Sequence, residues 1–101
     1  MRVIVFFDLP VGTAAERRVY SRFRKSLIKD GFLMMQESVY SKLALNPTVA
    51  NSIMSAVRAR KPAKGLIQML VITEKQFSRM EYVLEEYRQQ TTETDERLVI
   101  L

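Results

Sequence analysis

Val3-Ile4-Val5-Phe6-Phe7-Asp8, followed by Leu9-Pro10 and then Thr13-Ala14-Ala15-Glu16, is the stretch that decides how this chain folds. Its apolar residues run without alternation, which is the pattern of a central strand buried on both faces, here at about residues 2–8. The strand stops at a single carboxylate, Asp8, and a turn. Thr13 with Glu16 three residues later is the signature of a capping box, so a helix opens there and runs to about Asp30. Gly31 supplies its stop.

Working outward, Phe32 to Leu45 contains no turn-forming glycine or proline. It reads as one long kinked strand or as two strands meeting near Gln36-Glu37-Ser38. Asn46-Pro47 reads as cap and first residue of a second helix, whose stripe Val49, Ile53, Ala56 and Val57 extends to Arg60. Pro62 and Gly65 close it. Leu66 to Ile72 is a further apolar strand, and Thr73-Glu74-Lys75-Gln76 is a second capping box. The helix it leads is expected to turn Phe77, Met80, Leu84 and Tyr87 inward. Residues 89–96 read as a polar linker, and Leu98-Val99-Ile100-Leu101 as a short terminal strand.

This order predicts an α+β fold of the ferredoxin-like βαββαβ type, with a third helix and a C-terminal strand appended. The expected organisation is one domain over residues 1–101, with a body at 1–88, the linker, and the last strand at 97–101. Four apolar residues at the end of a polar linker need a sheet edge to cover them. If that edge belongs to a second copy, the protein is an obligate homodimer.

The 101 residues, 48% of them hydrophobic, suffice for one compact core. No run of about eighteen apolar residues could span a membrane, and Met1-Arg2-Val3 does not begin a secretory signal. The cytoplasm is therefore the expected location. With no cysteine and no histidine, disulfides, thiolate zinc sites, serine-histidine triads and histidine-based ribonuclease mechanisms are excluded. Any catalysis has to use carboxylates, hydroxyls, lysine or an oxygen-bound metal.

The net charge of +5 hides an asymmetry. Residues 1–80 carry 14 basic and 5 acidic side chains, a balance of +9, whereas residues 81–101 carry 2 and 6, a balance of −4. On the first helix Val19, Tyr20, Phe23 and Leu27 share one side, while Arg18, Arg22, Lys25 and Lys29 form a row on the other. That row spans about 16 Å, enough to follow several phosphates of one backbone. Solvated helix faces usually alternate in sign, and this one is entirely positive, which favours phosphate contact over a plain solvated face. Arg58, Arg60, Lys61 and Lys64 make a weaker second patch, part of which the helix dipole explains without any ligand.

Asp8 before Leu9-Pro10 is also what a turn requires, so the residue alone leaves its role open. The physical case for a metal is that Mg²⁺ takes oxygen ligands, keeps several waters and often uses one or two carboxylates plus substrate phosphate. One Asp per chain becomes two across a two-fold axis.

These residues together resemble the CRISPR-associated protein Two family, small dimeric subunits of the spacer-acquisition machinery. The matching elements are Phe7-Asp8 at the end of the first strand, Arg17-Arg18 in the first helix, Gly31-Phe32 through Gln36-Glu37-Ser38-Val39-Tyr40, and Thr73-Glu74-Lys75-Gln76-Phe77. The segment Ser38-Val39-Tyr40-Ser41-Lys42-Leu43 is most similar to the version found in type II systems. The resemblance implies a ferredoxin-like homodimer with an exchanged C-terminal strand, acting with the CRISPR-associated integrase. It makes Asp8 the metal-binding and catalytic acid, with Mg²⁺ or another divalent cation held between the two copies. It matches Arg17 and Arg18 to basic positions that hold a nucleic-acid backbone, to which the helix row independently adds Arg22, Lys25 and Lys29, and it matches Ser38 to a serine near the cleft. A structural hydrogen bond at a strand kink is the more ordinary role for Ser38. The family often has tyrosine before the aspartate, where this chain has Phe7.

Two readings follow, a metal-dependent endonuclease (endoribonuclease) acting on single-stranded RNA or duplex DNA, and an adaptor that holds duplex prespacer DNA without essential chemistry at Asp8. A base-stacking RNA-binding module fits less well, because the first strand lacks the glycine-aromatic pattern of such modules.

Overall fold

The computed structural model describes residues 1–85. Seven elements follow in order: β1 (Arg2–Asp8), α1 (Ala14–Lys29), β2 (Leu33–Gln36), β3 (Val39–Leu43), α2 (Pro47–Ala59), β4 (Leu66–Ile72) and α3 (Glu74–Ser78). The strands make one antiparallel sheet in the order β2-β3-β1-β4, so β1 is central, as its unbroken apolar run requires. This is the ferredoxin-like arrangement expected from the sequence, with one helix added.

Strand register decides which side chains meet. On one face Val3, Val5 and Phe7 of β1, with Tyr40 of β3, pack against Phe23 and Leu27 of α1 and Ala50, Ile53 and Val57 of α2. Phe7 is the hub of this layer, with its ring 5.1 Å from Phe23, 5.6 Å from Tyr20 and 5.7 Å from Tyr40. On the other face Leu66 and Leu70 of β4, Leu43 of β3 and Leu33 of β2 are all at least half exposed, around a buried centre of Ile4 and Ser41.

Local chemistry sets the boundaries. Both capping boxes form, with Thr13 accepting from the Glu16 amide and Thr73 from the Gln76 amide, and with each Glu or Gln side chain returning to its cap amide. Asn46 caps α2 through Val49 N–H, with Pro47 in the first turn. At the end of α1 the Phe32 amide reaches Leu27 O and the Gly31 amide reaches Ile28 O, a Schellman closure made possible by Gly31 at φ +96°.

Segment 32–45 takes the second of its two expected forms, a hairpin of two strands turning at Glu37-Ser38 with Gln36 opposite Val39, while the extent of the third helix and the apolar stripes of α1 and α2 are corrected. The left-handed position that a glycine usually fills is taken by Ser38, at φ +66°. The third helix ends at Ser78, because Met80 and Leu84 find little to bury them and stand 36% and 82% exposed. On α2 the buried stripe is Ala50, Ile53 and Val57, with Val49 at its rim. Val19 of α1 likewise lies at the edge of its apolar face. Tyr87, the linker at 89–96 and the terminal strand at 97–101 lie outside the described residues.

Candidate nucleic-acid and metal site

Asp8 is the last residue of β1 and its side chain is exposed. The backbone beneath it is fixed from two sides. Leu66 opens β4 opposite Asp8, and Gly65 just before it comes so close that an added Cβ would lie 2.9 Å from Asp8 O and 2.6 Å from Leu9 Cδ2. On the other side the Phe7 amide donates to Ser38 O at 3.0 Å, joining the end of β1 to the β2–β3 turn.

An open depression surrounds Asp8, lined also by Arg17, Tyr20, Glu37 and Ser38. Of the residues singled out from the sequence, Asp8, Arg17 and Ser38 thus come together at one end of the sheet. The Arg17 guanidinium donates to Val11 O at 3.2 Å and to Gly12 O at 3.5 Å, so it braces the loop leading from Asp8 into α1. The hydroxyl of Ser38 lies 3.1 Å from that of Tyr20.

Arg18, Arg22 and Lys25, together with Arg17 and Ser21, line a second depression along α1. Lys29 is exposed a turn further on, beyond this depression. Among the described residues none of Arg18, Arg22, Lys25 and Lys29 enters an ion pair, and the ion pairs that form involve Glu74 and Asp30 instead. A row of unneutralised cations, brought level with an exposed carboxylate, is an arrangement suited to a phosphate backbone. The second basic patch is partly spent within the fold, since Arg60 pairs with Asp30 and Arg58 donates to Ser55 Oγ.

Sequence reasoning missed Glu37 and Tyr20 as site residues. Glu37 carried one available signal, its place beside Ser38 at a possible turn. Tyr20 fell on the apolar side of α1, and only folding shows that its hydroxyl emerges into the depression.

The donors around Asp8 are all oxygens: the carboxylates of Asp8 and Glu37 and the hydroxyls of Tyr20, Ser21 and Ser38. Such a set suits a hard divalent cation and not a soft one. Among the described residues no three His, Cys, Asp or Glu side chains gather as a metal-binding group. Any cation held by these residues would therefore lean on few protein ligands. Among the described residues, too, no helix is long and apolar enough to cross a membrane.

A model of the family described as CRISPR associated protein Cas2 matches residues 1–80. The chain is similar to a CRISPR-associated endoribonuclease Cas2 of Treponema denticola, 54% identical over 101 residues and covering the whole of both chains. It is similar to a protein of the same name from Streptococcus mutans, 46% identical, covering all of this chain and 93% of that one. Among solved structures, a crystal structure of Streptococcus pyogenes Cas2 matches 80% of this chain and 96% of its own, with a TM-score of 0.61 at 21% identity, a likeness of fold.

Proposed function

The chain belongs to the CRISPR-associated protein Cas2 family, and from that premise we propose that it is a homodimeric, nucleic-acid-binding subunit of CRISPR spacer acquisition with an endonuclease centre built on Asp8 of each protomer. The observation that carries this reading is the placement of the Asp8 carboxylate, exposed in a depression and flanked by α1 cations that form no ion pair among the described residues. The endoribonuclease name of its relatives supports RNA as a substrate.

The sheet supports the dimer reading. Register puts Asp8 on the same face as Leu66, Leu70, Leu43 and Leu33, the face that no helix of the core layer covers. Exposed leucines gathered on one such face support a protein interface there. Two such faces packed about a two-fold axis would bring the Asp8 carboxylates toward each other, each compensating for the scarcity of acidic ligands in the other. The terminal residues 98–101 would complete the pairing at a sheet edge of the partner.

Asp8 is the residue that would hold Mg²⁺ or another divalent cation, with Glu37 within the same depression. When bound, that cation supplies charge to offset the phosphate and lowers the pKa of a water. The chain's own groups do the rest: α1 holds the backbone through Arg18, Arg22 and Lys25, and Arg17 keeps the loop after Asp8 in shape.

The second reading, a structural adaptor that holds duplex DNA for the CRISPR-associated integrase, is favoured by one observation. Among the described residues only Asp8 and Glu37 bring carboxylates to the depression, whereas metal nucleases commonly gather more. Cleavage of single-stranded RNA and duplex DNA by wild type and Asp8→Ala, with Mg²⁺ and with chelator, decides between the two. Loss of metal-dependent cleavage with retained binding supports the enzyme. Equal binding and no cleavage by either protein supports the adaptor.

A further inference from the structure

Tyr20 and Ser38 reach the Asp8 depression from different elements and meet there, hydroxyl to hydroxyl, at 3.1 Å. Neither position is accidental. The Tyr20 ring is fixed against Phe7 at 5.6 Å, and Ser38 is held in a left-handed conformation by the bond from the Phe7 amide to its carbonyl. A serine keeps such a conformation only where its surroundings hold it, and such residues concentrate at functional sites.

Each hydroxyl has one hydrogen and two lone pairs. A single bond between them uses one hydrogen of the two, and among the described residues no other hydrogen bond joins either oxygen. Whichever group donates, one O–H remains at the wall of the depression, beside the acid. If Tyr20 donates, the free hydrogen belongs to Ser38, and the reverse holds if Ser38 donates. The pair therefore presents one donor that either residue can supply.

We propose that the Tyr20–Ser38 pair hydrogen-bonds a non-bridging phosphate oxygen of the nucleic acid brought to Asp8, an inference that rests on the nucleic-acid-processing reading of that site. A phosphate oxygen is the acceptor this donor matches, because the neighbouring basic row delivers the backbone and a neutral donor beside a carboxylate can approach an anion without adding charge. The pairing makes a distinctive signature. Removing either hydroxyl frees the other to donate, so only loss of both removes the ligand contact, whereas loss of either one already breaks the tie between α1 and the β2–β3 turn.

The test compares Tyr20→Phe, Ser38→Ala and the double variant for thermal stability, for affinity toward a labelled single-stranded RNA and a duplex DNA, and for kcat and KM of Mg²⁺-dependent cleavage. The three variants are expected to share one stability loss. Affinity is expected to change less than about threefold in the single variants and to fall about tenfold or more in the double, the usual worth of a hydrogen bond to a charged group. The loss should appear in KM. Affinity that tracks stability across all three variants, or a double variant that binds both probes like wild type, overturns the inference, as does a wild type that binds neither probe. Asp8→Ala in parallel separates the two levels. If it cleaves normally, the nuclease reading fails while the affinity pattern still judges the donor pair. If it loses cleavage and the double variant binds like wild type, only the donor pair fails.

Discussion

Gly65→Ala is the substitution whose consequence the geometry specifies most fully. Gly65 sits at φ +109°, outside the range that residues with a side chain readily adopt. An added Cβ would stand 2.6 Å from Leu9 Cδ2, 2.9 Å from Asp8 O and 3.2 Å from Leu9 Cα. The first contact could be relieved by a rotamer change, but Leu9 is buried and has little room to move. The second is to backbone and requires the end of β1 and the start of β4 to separate. Backbone strain of about 1–3 kcal/mol, with a similar overpacking cost, gives a loss of roughly 2–6 kcal/mol. For a domain of this size each kcal/mol is about 4–8 °C, so the thermal midpoint should fall by about ten degrees or more at equal protein concentration. Urea titration followed by far-UV circular dichroism gives the free energy directly. Because Leu66 pairs with Asp8, folded Gly65→Ala at low temperature should also cleave less well than wild type. A stability within about 0.5 kcal/mol of wild type, the range of an ordinary surface change, would refute the close packing of Gly65 on Asp8 and Leu9.

Other consequences follow from single features. Tyr40 is fully buried and, among the described residues, its hydroxyl has no partner, so Tyr40→Phe should leave urea stability unchanged or raise it by up to about 1 kcal/mol; a clear loss would show that the hydroxyl is satisfied. Arg18→Glu with Arg22→Glu should weaken duplex DNA binding and lower the slope of log K against log salt by about 1.8 for each protomer whose α1 touches the duplex, which a salt titration reads, and an unchanged slope would remove α1 from the interface. Leu66→Glu with Leu70→Glu should convert a dimer to monomer in sedimentation velocity, with residues 1–85 still folded by circular dichroism, whereas a persistent dimer would place the interface elsewhere.

The parts of the fold legible in the sequence are those in which local and global preferences agree. The apolar run of β1 could only be a central strand, and the capping residues Thr13, Asn46 and Thr73 all act as their chemistry suggests. The β2–β3 turn could not be fixed beforehand, because its left-handed position is held by a serine through tertiary hydrogen bonds and not by glycine. Helical spacing of Phe77, Met80 and Leu84 points to a longer third helix than forms, because such spacing is stabilising only where a surface waits to cover it. At the site, Asp8 stood out by chemistry, as a lone acid ending a buried strand beside a basic helix. Glu37 and the Tyr20 hydroxyl did not, since their nearness to Asp8 is created by the hairpin and by the packing of α1 on Phe7.

Whether two Asp8 carboxylates act together across a dimer is decided by a heterodimer with one Asp8→Ala subunit. Such a species can be isolated by co-expressing two differently tagged chains and purifying on both tags, and its Mg²⁺-dependent cleavage of single-stranded RNA compared with both homodimers. If the two acids form one centre, the heterodimer should be as inactive as the Asp8→Ala homodimer while binding RNA like wild type. Half the wild-type rate would show instead that each Asp8 works alone.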